Sequence, residues 1–363
     1  MVEPMNIGII GCGNISNAYG AKGAKHYRAL NLLACADLDL DRAKAKAEEW
    51  GAPKAYSVDE LLADDDIDMV INLTIPAVHA EIDRRAFEAG KHVYSEKPLA
   101  VTCAEARPVL ELAKEKGLRL GCAADTFLGA GIQTARKLID EGAIGTPIAA
   151  TAFMLGRGHE SWHPSPEFYY QVGGGPLLDM GPYYLNALVN LLGPIAEVTG
   201  FSTRGFNERT ITSEPKKGTV IPVEVDTTIL STLRFTQGAI ATVGMSFDVP
   251  KHNLPRIEIH GTEGSLSVPD PNRFDGEVKL AKPGGDWEVI EHTHEAGMRG
   301  AGPADIVHAI AANRAHRASG DLALHVLEAM EGMHAANGHA VAITHQVERP
   351  AAVPLGLPEG EFD

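Results

Sequence analysis

From Met5 to Ala123, short and almost purely apolar runs alternate with stretches of helical periodicity. The runs cover residues 5–10, 32–36, 69–74, 91–95 and 119–123. Helical patterns over 41–50, 58–63, 77–89 and 103–116 separate them, and Gly90 stops the third. A strand apolar on both faces must be covered on both faces. Strands joined through helices run parallel, because a hairpin turn cannot connect them. The spacing therefore predicts a doubly wound α/β domain with helices on both sides of a parallel sheet, ending near residue 124.

The pattern then changes. A helix over 131–141 is followed by long alternating segments at 148–155, 195–206, 227–235, 239–247, 256–260 and 277–281. Several are joined by glycine turns such as Gln237-Gly238 and Gly261-Thr262-Glu263-Gly264. This predicts an α+β domain with an open, largely antiparallel sheet. Two helices, over 303–318 and 322–340, close it. The expected division is residues 1–124 for the first domain and 125–363 for the second.

Between the first strand and its helix stands Gly11-Cys12-Gly13-Asn14-Ile15-Ser16. The first glycine permits a tight turn, and the second lets a pyrophosphate approach the backbone at a helix N-terminus. Ser16 departs from the Gly or Ala usual at the third position. Asp37 ends the next strand about twenty residues further on, where a carboxylate bonds ribose hydroxyls and repels a 2′-phosphate. This is the Rossmann arrangement for NAD, with NADP disfavoured. Thr74-Ile75-Pro76 with His79, and Glu96-Lys97, follow the third and fourth of these strands, at the sheet edge where dinucleotides bind.

In the second domain, Gly173-Gly174-Gly175-Pro176 leads into a helix over 177–192. On a 3.6-residue period Asp179, Tyr183, Asn186 and Asn190 share one arc opposite a row of leucines. The arc holds no Lys or Glu, which suits a site lining better than a solvated face. His159-Glu160-Ser161-Trp162-His163 spells the HExxH zinc motif. Gly156, Gly158, Pro164 and Pro166 flank it, so the helix that motif requires is not expected. No metal is expected, and His163 and Arg157 are instead candidates for substrate binding. Asp125 and Thr126 join them as residues that read hydroxyl stereochemistry.

A net charge of −16 opposes nucleic acid and anionic membrane as partners. No apolar run reaches a membrane span, and the N-terminus has no basic segment ahead of its apolar strand. The four cysteines match no zinc or redox spacing. A cytoplasmic protein with reduced thiols is expected.

With these residues in view, the chain resembles the Gfo/Idh/MocA family, the glucose–fructose oxidoreductase and inositol dehydrogenase group. Gly11-Cys12-Gly13-Asn14-Ile15, Thr74-Ile75-Pro76-Ala77-Val78-His79 and Ala89-Gly90-Lys91-His92-Val93 carry the likeness. So do Glu96-Lys97-Pro98 and Gly173 through Gly181. The resemblance implies a dehydrogenase acting on a hydroxyl-bearing carbon of a sugar or polyol, and a homodimer or homotetramer. It makes residues 1–124 the nucleotide-binding domain and residues 125–363 the substrate-binding and oligomerisation domain. It also implies that Lys97 and Asp179 are catalytic. Most members carry a histidine one helical turn after the aspartate. Here that position is Tyr183, as in the branch resembling glucose–fructose oxidoreductase. Tyr183 is then the expected acceptor of the substrate's proton, with Lys97 polarising the oxygen or itself acting as base. Two other outcomes stay open: a glycosidase that uses NAD transiently, and a sensor that binds dinucleotide without catalysis.

Overall fold

The structure, a computed structural model, describes residues 2–363. The chain packs as two units. One holds the chain up to Gln133 together with Thr293–Leu324 and Pro350–Asp363; the other holds Thr134–His292 and His325–Arg349. The expectation that everything after residue 124 forms one domain is corrected here. The later segments return to the first unit because its groups bind them. Buried Asp125 accepts the Gly300 and Gly302 N–H groups (3.2 and 3.0 Å), and Cys122 N–H donates to Ala318 O (3.0 Å). Periodicity identifies a helix but not the sheet it will cover.

The sheet of the first unit is built from β1 (Met5–Ile10), β2 (Leu30–Ala36), β3 (Lys54–Tyr56), β4 (Met69–Asn72), β5 (His92–Ser95) and β6 (Leu120–Cys122). All pairs are parallel, in the order β3-β2-β1-β4-β5-β6. The order reverses direction beside β1, and such switch points hold dinucleotides. Ile7, Ile9, Ala34, Cys35, Val70 and Val93 are fully buried, as the apolar runs require. Strand β3 was not foreseen. It is a three-residue, half-buried edge strand, too short to show a period.

A π-helical turn at Ala18–Gly23 and a short α1 (Ala24–His26) follow the glycine loop, in place of a long regular helix. Gly20 lies on the Trp50 ring there, so closely that a Cβ would fall 2.3 Å from it. Helices α2 (Leu40–Trp50), α3 (Val58–Ala63) and α5 (Cys103–Glu115) start at side-chain caps, whereas α4 (His79–Glu88) continues from a 3-10 turn at Pro76–Val78. The Asp39 carboxylate accepts two N–H groups of the first turn of α2. Ser57 and Glu60 form a capping box on α3, and Thr102 caps α5.

After α6 (Ala130–Asp140), the second unit contains β7 (Pro147–Leu155), α7 (Pro176–Leu192), β8 (Ile195–Thr203), and a two-stranded ribbon of β9 (Glu208–Thr210) and β10 (Val220–Pro222). Then come β11 (Thr228–Phe235), β12 (Ile240–Ser246), β13 (Ile257–Gly261), β14 (Ser265–Val268), β15 (Val278–Ala281) and β16 (Glu288–Ile290). Helices α8 (Ala301–Ala311) and α9 (Gly320–Ala335) and strand β17 (Val341–Ala342) complete the chain. The sheet order is β16-β15-β14-β13-β7-β12-β11-β8-β17, antiparallel throughout except between β7 and β12. Helix α7 lies on β7, β11 and β12. In β11, Ile229, Ser231, Leu233 and Phe235 are buried while Leu230, Thr232 and Arg234 are exposed, so one face is covered and the other bare.

Candidate active site

The nucleotide loop is built by two glycines that do different work. Gly11 has φ +97°, and a Cβ there would stand 2.6 Å from the Leu73 carbonyl oxygen. No other residue fits that turn. A Cβ on Gly13 would meet nothing within 4 Å, so its backbone lies open to a ligand. Ser16 is buried and donates its hydroxyl to Gly13 O, which explains how a serine is tolerated there. Asp37 at the end of β2 accepts Cys12 N–H (2.8 Å) and Asp39 N–H (2.9 Å), tying the loop to the strand. Arg42 of α2 lies 3.3 Å from the same carboxylate. Arg42 went unnoticed in the sequence, although it lies only five residues from Asp37. An open glycine and a carboxylate at adjacent strand ends fit the pyrophosphate and ribose of NAD.

Around β4 and β5 the polar residues brace one another. Asn72 accepts the Thr74 hydroxyl (2.6 Å) and donates to Asp83 (2.7 Å). His79, expected to touch the cofactor, is 1% exposed. Its Nδ1 lies 2.7 Å from Pro98 O and its Nε2 3.1 Å from Thr74 O. It is a strut between the Thr74-Ile75-Pro76 loop and the Glu96-Lys97-Pro98 turn. Burial depresses its proton affinity, against the pull of the two carbonyls. Glu96 is equally committed: it accepts the Tyr19 hydroxyl (3.0 Å) and Lys97 N–H (2.9 Å). Lys97 stands half-buried just past the end of β5, and Ile75 is exposed.

Two residues expected to read substrate are sealed inside the first unit. Asp125 is fully buried, holding Gly300, Gly302 and Arg299 (3.5 Å). Burial raises its pKa, and Arg299 opposes the rise. Thr126 is buried in the adjoining 3-10 turn. Adjacent polar residues at a strand end resemble a ligand edge in sequence, and only the returning chain shows that they are covered.

In the second unit Gly175, at φ +90°, turns the chain into α7 with Pro176 in its first turn. Asp179 lies in that first turn and keeps a partly open side chain. Tyr183 is one turn further on and 5% exposed; Asn186 is deeper still. Asn190 leaves the stripe altogether. Its carbonyl accepts from Arg136 (2.9 Å) and Arg349 (2.7 Å), cations set at the negative end of the helix.

The 159–163 segment forms a turn, as its flanking glycines and prolines require. His159 Nε2 lies 3.4 Å from Asp179 Oδ2. Its ring stacks on Tyr169 (centroids 3.8 Å apart, planes at 11°) and meets the edge of Phe247 at 4.6 Å. Glu160 turns the other way, to Arg209 (2.7 Å) and the Tyr170 hydroxyl. His163 accepts Ser165 N–H (3.0 Å) and packs edge-on against Phe168 and Tyr169. Burial lowers its pKa, while the nearby Glu167 and Asp179 charges raise it. Arg157 is exposed. The sequence missed His159 as a site residue, because a turn has no period that would place it against α7.

Residues 5–123 match the oxidoreductase family with an NAD-binding Rossmann fold, and residues 132–267 match the GFO/IDH/MocA C-terminal domain. Over 266 residues the chain is 32% identical to the 1,5-anhydro-D-fructose reductase of Ensifer adhaerens, covering 71% of this chain and 74% of that enzyme. The chain belongs to the Gfo/Idh/MocA oxidoreductases. Levoglucosan dehydrogenase of Pseudarthrobacter phenanthrenivorans is 28% identical over 308 residues, 77% of each chain. The solved levoglucosan dehydrogenase complex with NADH and levoglucosan superimposes with a TM-score of 0.81 at 25% identity, over 94% of this chain and all of that one. As a Gfo/Idh/MocA member the protein is an NAD-binding oxidoreductase.

Proposed function

We propose that the protein transfers hydride between NAD and a hydroxyl-bearing carbon of a sugar, sugar derivative or polyol. The observation that carries this reading is the pair Asp179 and Tyr183, one turn apart at the only partly open end of a polar stripe on α7. A carboxylate and a phenol so spaced suit neighbouring hydroxyls on one ring. The relatives named for sugar substrates support the same class. When bound, NAD supplies the hydride acceptor. In the nucleotide site, Gly13 admits the pyrophosphate, Asp37 takes the ribose hydroxyls, and exposed Leu38 offers an apolar surface to the adenine. Lys97 polarises the reacting oxygen, Tyr183 takes its proton, and Asp179 holds the adjoining hydroxyl. His163 and Arg157 remain available to the far side of the substrate.

The protein works in the cytoplasm. Its four cysteines are held as buried thiols, which supports a reducing compartment. No helix among the described residues is long and apolar enough to cross a membrane. It assembles as a homodimer or homotetramer through the bare sheet face of the second unit. There Phe201, Leu230, Gly244 and Phe153 lie in one row across four strands.

Incubation with NAD and a panel of monosaccharides, inositols, anhydrosugars and glycosides tests the function. The expected result is NADH absorbance together with a product lighter by two hydrogens. Glycoside cleavage without NADH would instead make the protein a hydrolase. Lys97→Ala and Tyr183→Phe should each cut turnover by about 100-fold or more, and near-normal turnover in either would remove that residue from the mechanism.

A further inference from the structure

A phenol is a weak base at neutral pH, with a pKa of about 10. Tyr183 can take a substrate proton only if its own proton has somewhere to go. A tyrosine on a helix directs its side chain toward the N-terminus, over the residue four positions earlier. For Tyr183 that residue is Asp179, and behind Asp179 stands an imidazole, the side chain whose ordinary pKa of about 6.5 best matches the task.

We propose that His159 is the proton-holding partner of Asp179 and the terminus of a relay that begins at Tyr183. This rests on the oxidoreductase reading above. As the substrate carbon is oxidised, its C–H electron pair leaves as hydride to the oxidant that the established activity supplies. The O–H proton passes to the Tyr183 oxygen. The phenol's own proton passes to the Asp179 carboxylate and on to His159 Nε2, leaving a neutral Tyr183 phenol and an Asp179 carboxylate paired with the His159 imidazolium. Reduction runs the same steps backwards. His159 touches neither substrate nor cofactor in this scheme; it positions and charges Asp179.

The geometry suits this role. The ring is oriented by its stack on Tyr169 and its edge contact with Phe247, so Nε2 faces Asp179 Oδ2. The 3.4 Å separation exceeds a charge-assisted hydrogen bond of about 2.7–2.9 Å, so the pair can tighten when the ring is protonated. Both side chains are mostly but not wholly covered, at 14% and 13% exposure, which strengthens their mutual field. The neighbouring elements add other groups. In the loop itself are Glu160, turned to Arg209 and Tyr170, and His163, which also senses the Asp179 charge. The turn at Glu167–Tyr170 contributes the Tyr169 ring and the Tyr170 hydroxyl, which accepts the His159 backbone N–H (3.2 Å). Asp248, beside Phe247, is paired with Arg209. Asp179 is thus the carboxylate set against the imidazole, and Glu160 and Asp248 are engaged by a guanidinium.

Two measurements test the proposal. In substrate-free protein, the imidazole resonance of His159, assigned by its loss in His159→Gln, is titrated by NMR. In Asp179→Asn its pKa should fall by about one unit; an unchanged midpoint overturns the pairing whatever the enzyme's activity. In the pH profile of kcat for oxidation, the acid limb should lie at that midpoint. His159→Gln keeps a donor at the Nε2 position and should hold Asp179 in place. It should lose the limb and lower kcat about tenfold, with KM changed less than about twofold. A merely structural histidine would leave the limb where it was, and that result, or full kcat in His159→Gln, sinks the relay. If wild type turns over no sugar or polyol, the functional reading fails, while the titration still decides whether His159 and Asp179 share a proton.

Discussion

Asp83, on α4, shows how burial alone sets a residue's chemistry. It is wholly enclosed, and desolvation pushes its pKa up to about 7, against the hydrogen bond from Asn72. In the unfolded chain the value is about 3.9. The folded state therefore binds this proton more tightly. The stabilisation is complete below about pH 4 and is lost as pH rises through about 7. Asp83→Asn should remove that loss, gaining on the order of 2 kcal/mol relative to wild type between pH 5 and pH 8. Urea midpoints at the two pH values measure it, and a difference that stays constant would refute the assignment. His79 makes a second case. His79→Leu would remove the donor from whichever of Thr74 O and Pro98 O the ring N–H serves, and should cost about 2 kcal/mol in urea unfolding. Because the strut holds both turns of the nucleotide edge, NAD affinity should fall too. Unchanged NAD affinity in a folded His79→Leu protein would show that the turns stand without it.

Among elements, the loop after β1 separates fold from function most cleanly. Gly11→Ala places a side chain at φ +97° and against Leu73 O, and should destabilise the protein by about 1–2 kcal/mol or more. Gly13→Val has room for its Cβ, so the thermal midpoint should stay within a few degrees while NAD binding weakens by at least about tenfold. Calorimetric melting and NAD titration of the two variants provide the contrast, and equal effects on both quantities would contradict it. Helix α7 is likewise divided. Its N-terminal turn carries Asp179 against His159, whereas its C-terminal carbonyls are held by Arg136 and Arg349. Its polar period was legible in the sequence, because a helix imposes 3.6 residues per turn on whatever it faces. That Asn190 serves structure and not the site was illegible, because Arg349 comes from far along the chain.

At the scale of the molecule, the bare face of the nine-stranded sheet is the feature that asks for a partner. Phe201 and Leu230 are exposed in register, and Ile240 is exposed further along β12 on the same face. An apolar row of this kind on a sheet face marks an association surface. If the proposed homodimer or homotetramer forms through this face, Leu230→Asp should yield monomers while preserving the far-ultraviolet circular dichroism spectrum. Sedimentation velocity checks it, and an unchanged sedimentation coefficient would move the interface elsewhere. The two units are also more interleaved than the sequence suggested. The first unit reclaims Thr293–Leu324 and Pro350–Asp363, and its buried Asp125 is satisfied by the first of those segments.

What the amino-acid sequence determined by itself is whatever physics acts over a few residues. The apolar runs and helical periods specify β1, β2, β4, β5 and β6 and their parallel sheet, since each strand's burial is written in its own side chains. Gly11 and Gly13 specify the turn, and the four-residue step from Asp179 to Tyr183 places both on one helical face. Tertiary structure decided everything that depends on which distant group arrives. It brought His159 from a turn to Asp179, closed His79 between two carbonyls, and sealed Asp125 and Thr126 beneath the returning chain. A side chain's reach is set locally, but its partner is set by how the elements pack, and packing brings together residues that no local pattern links.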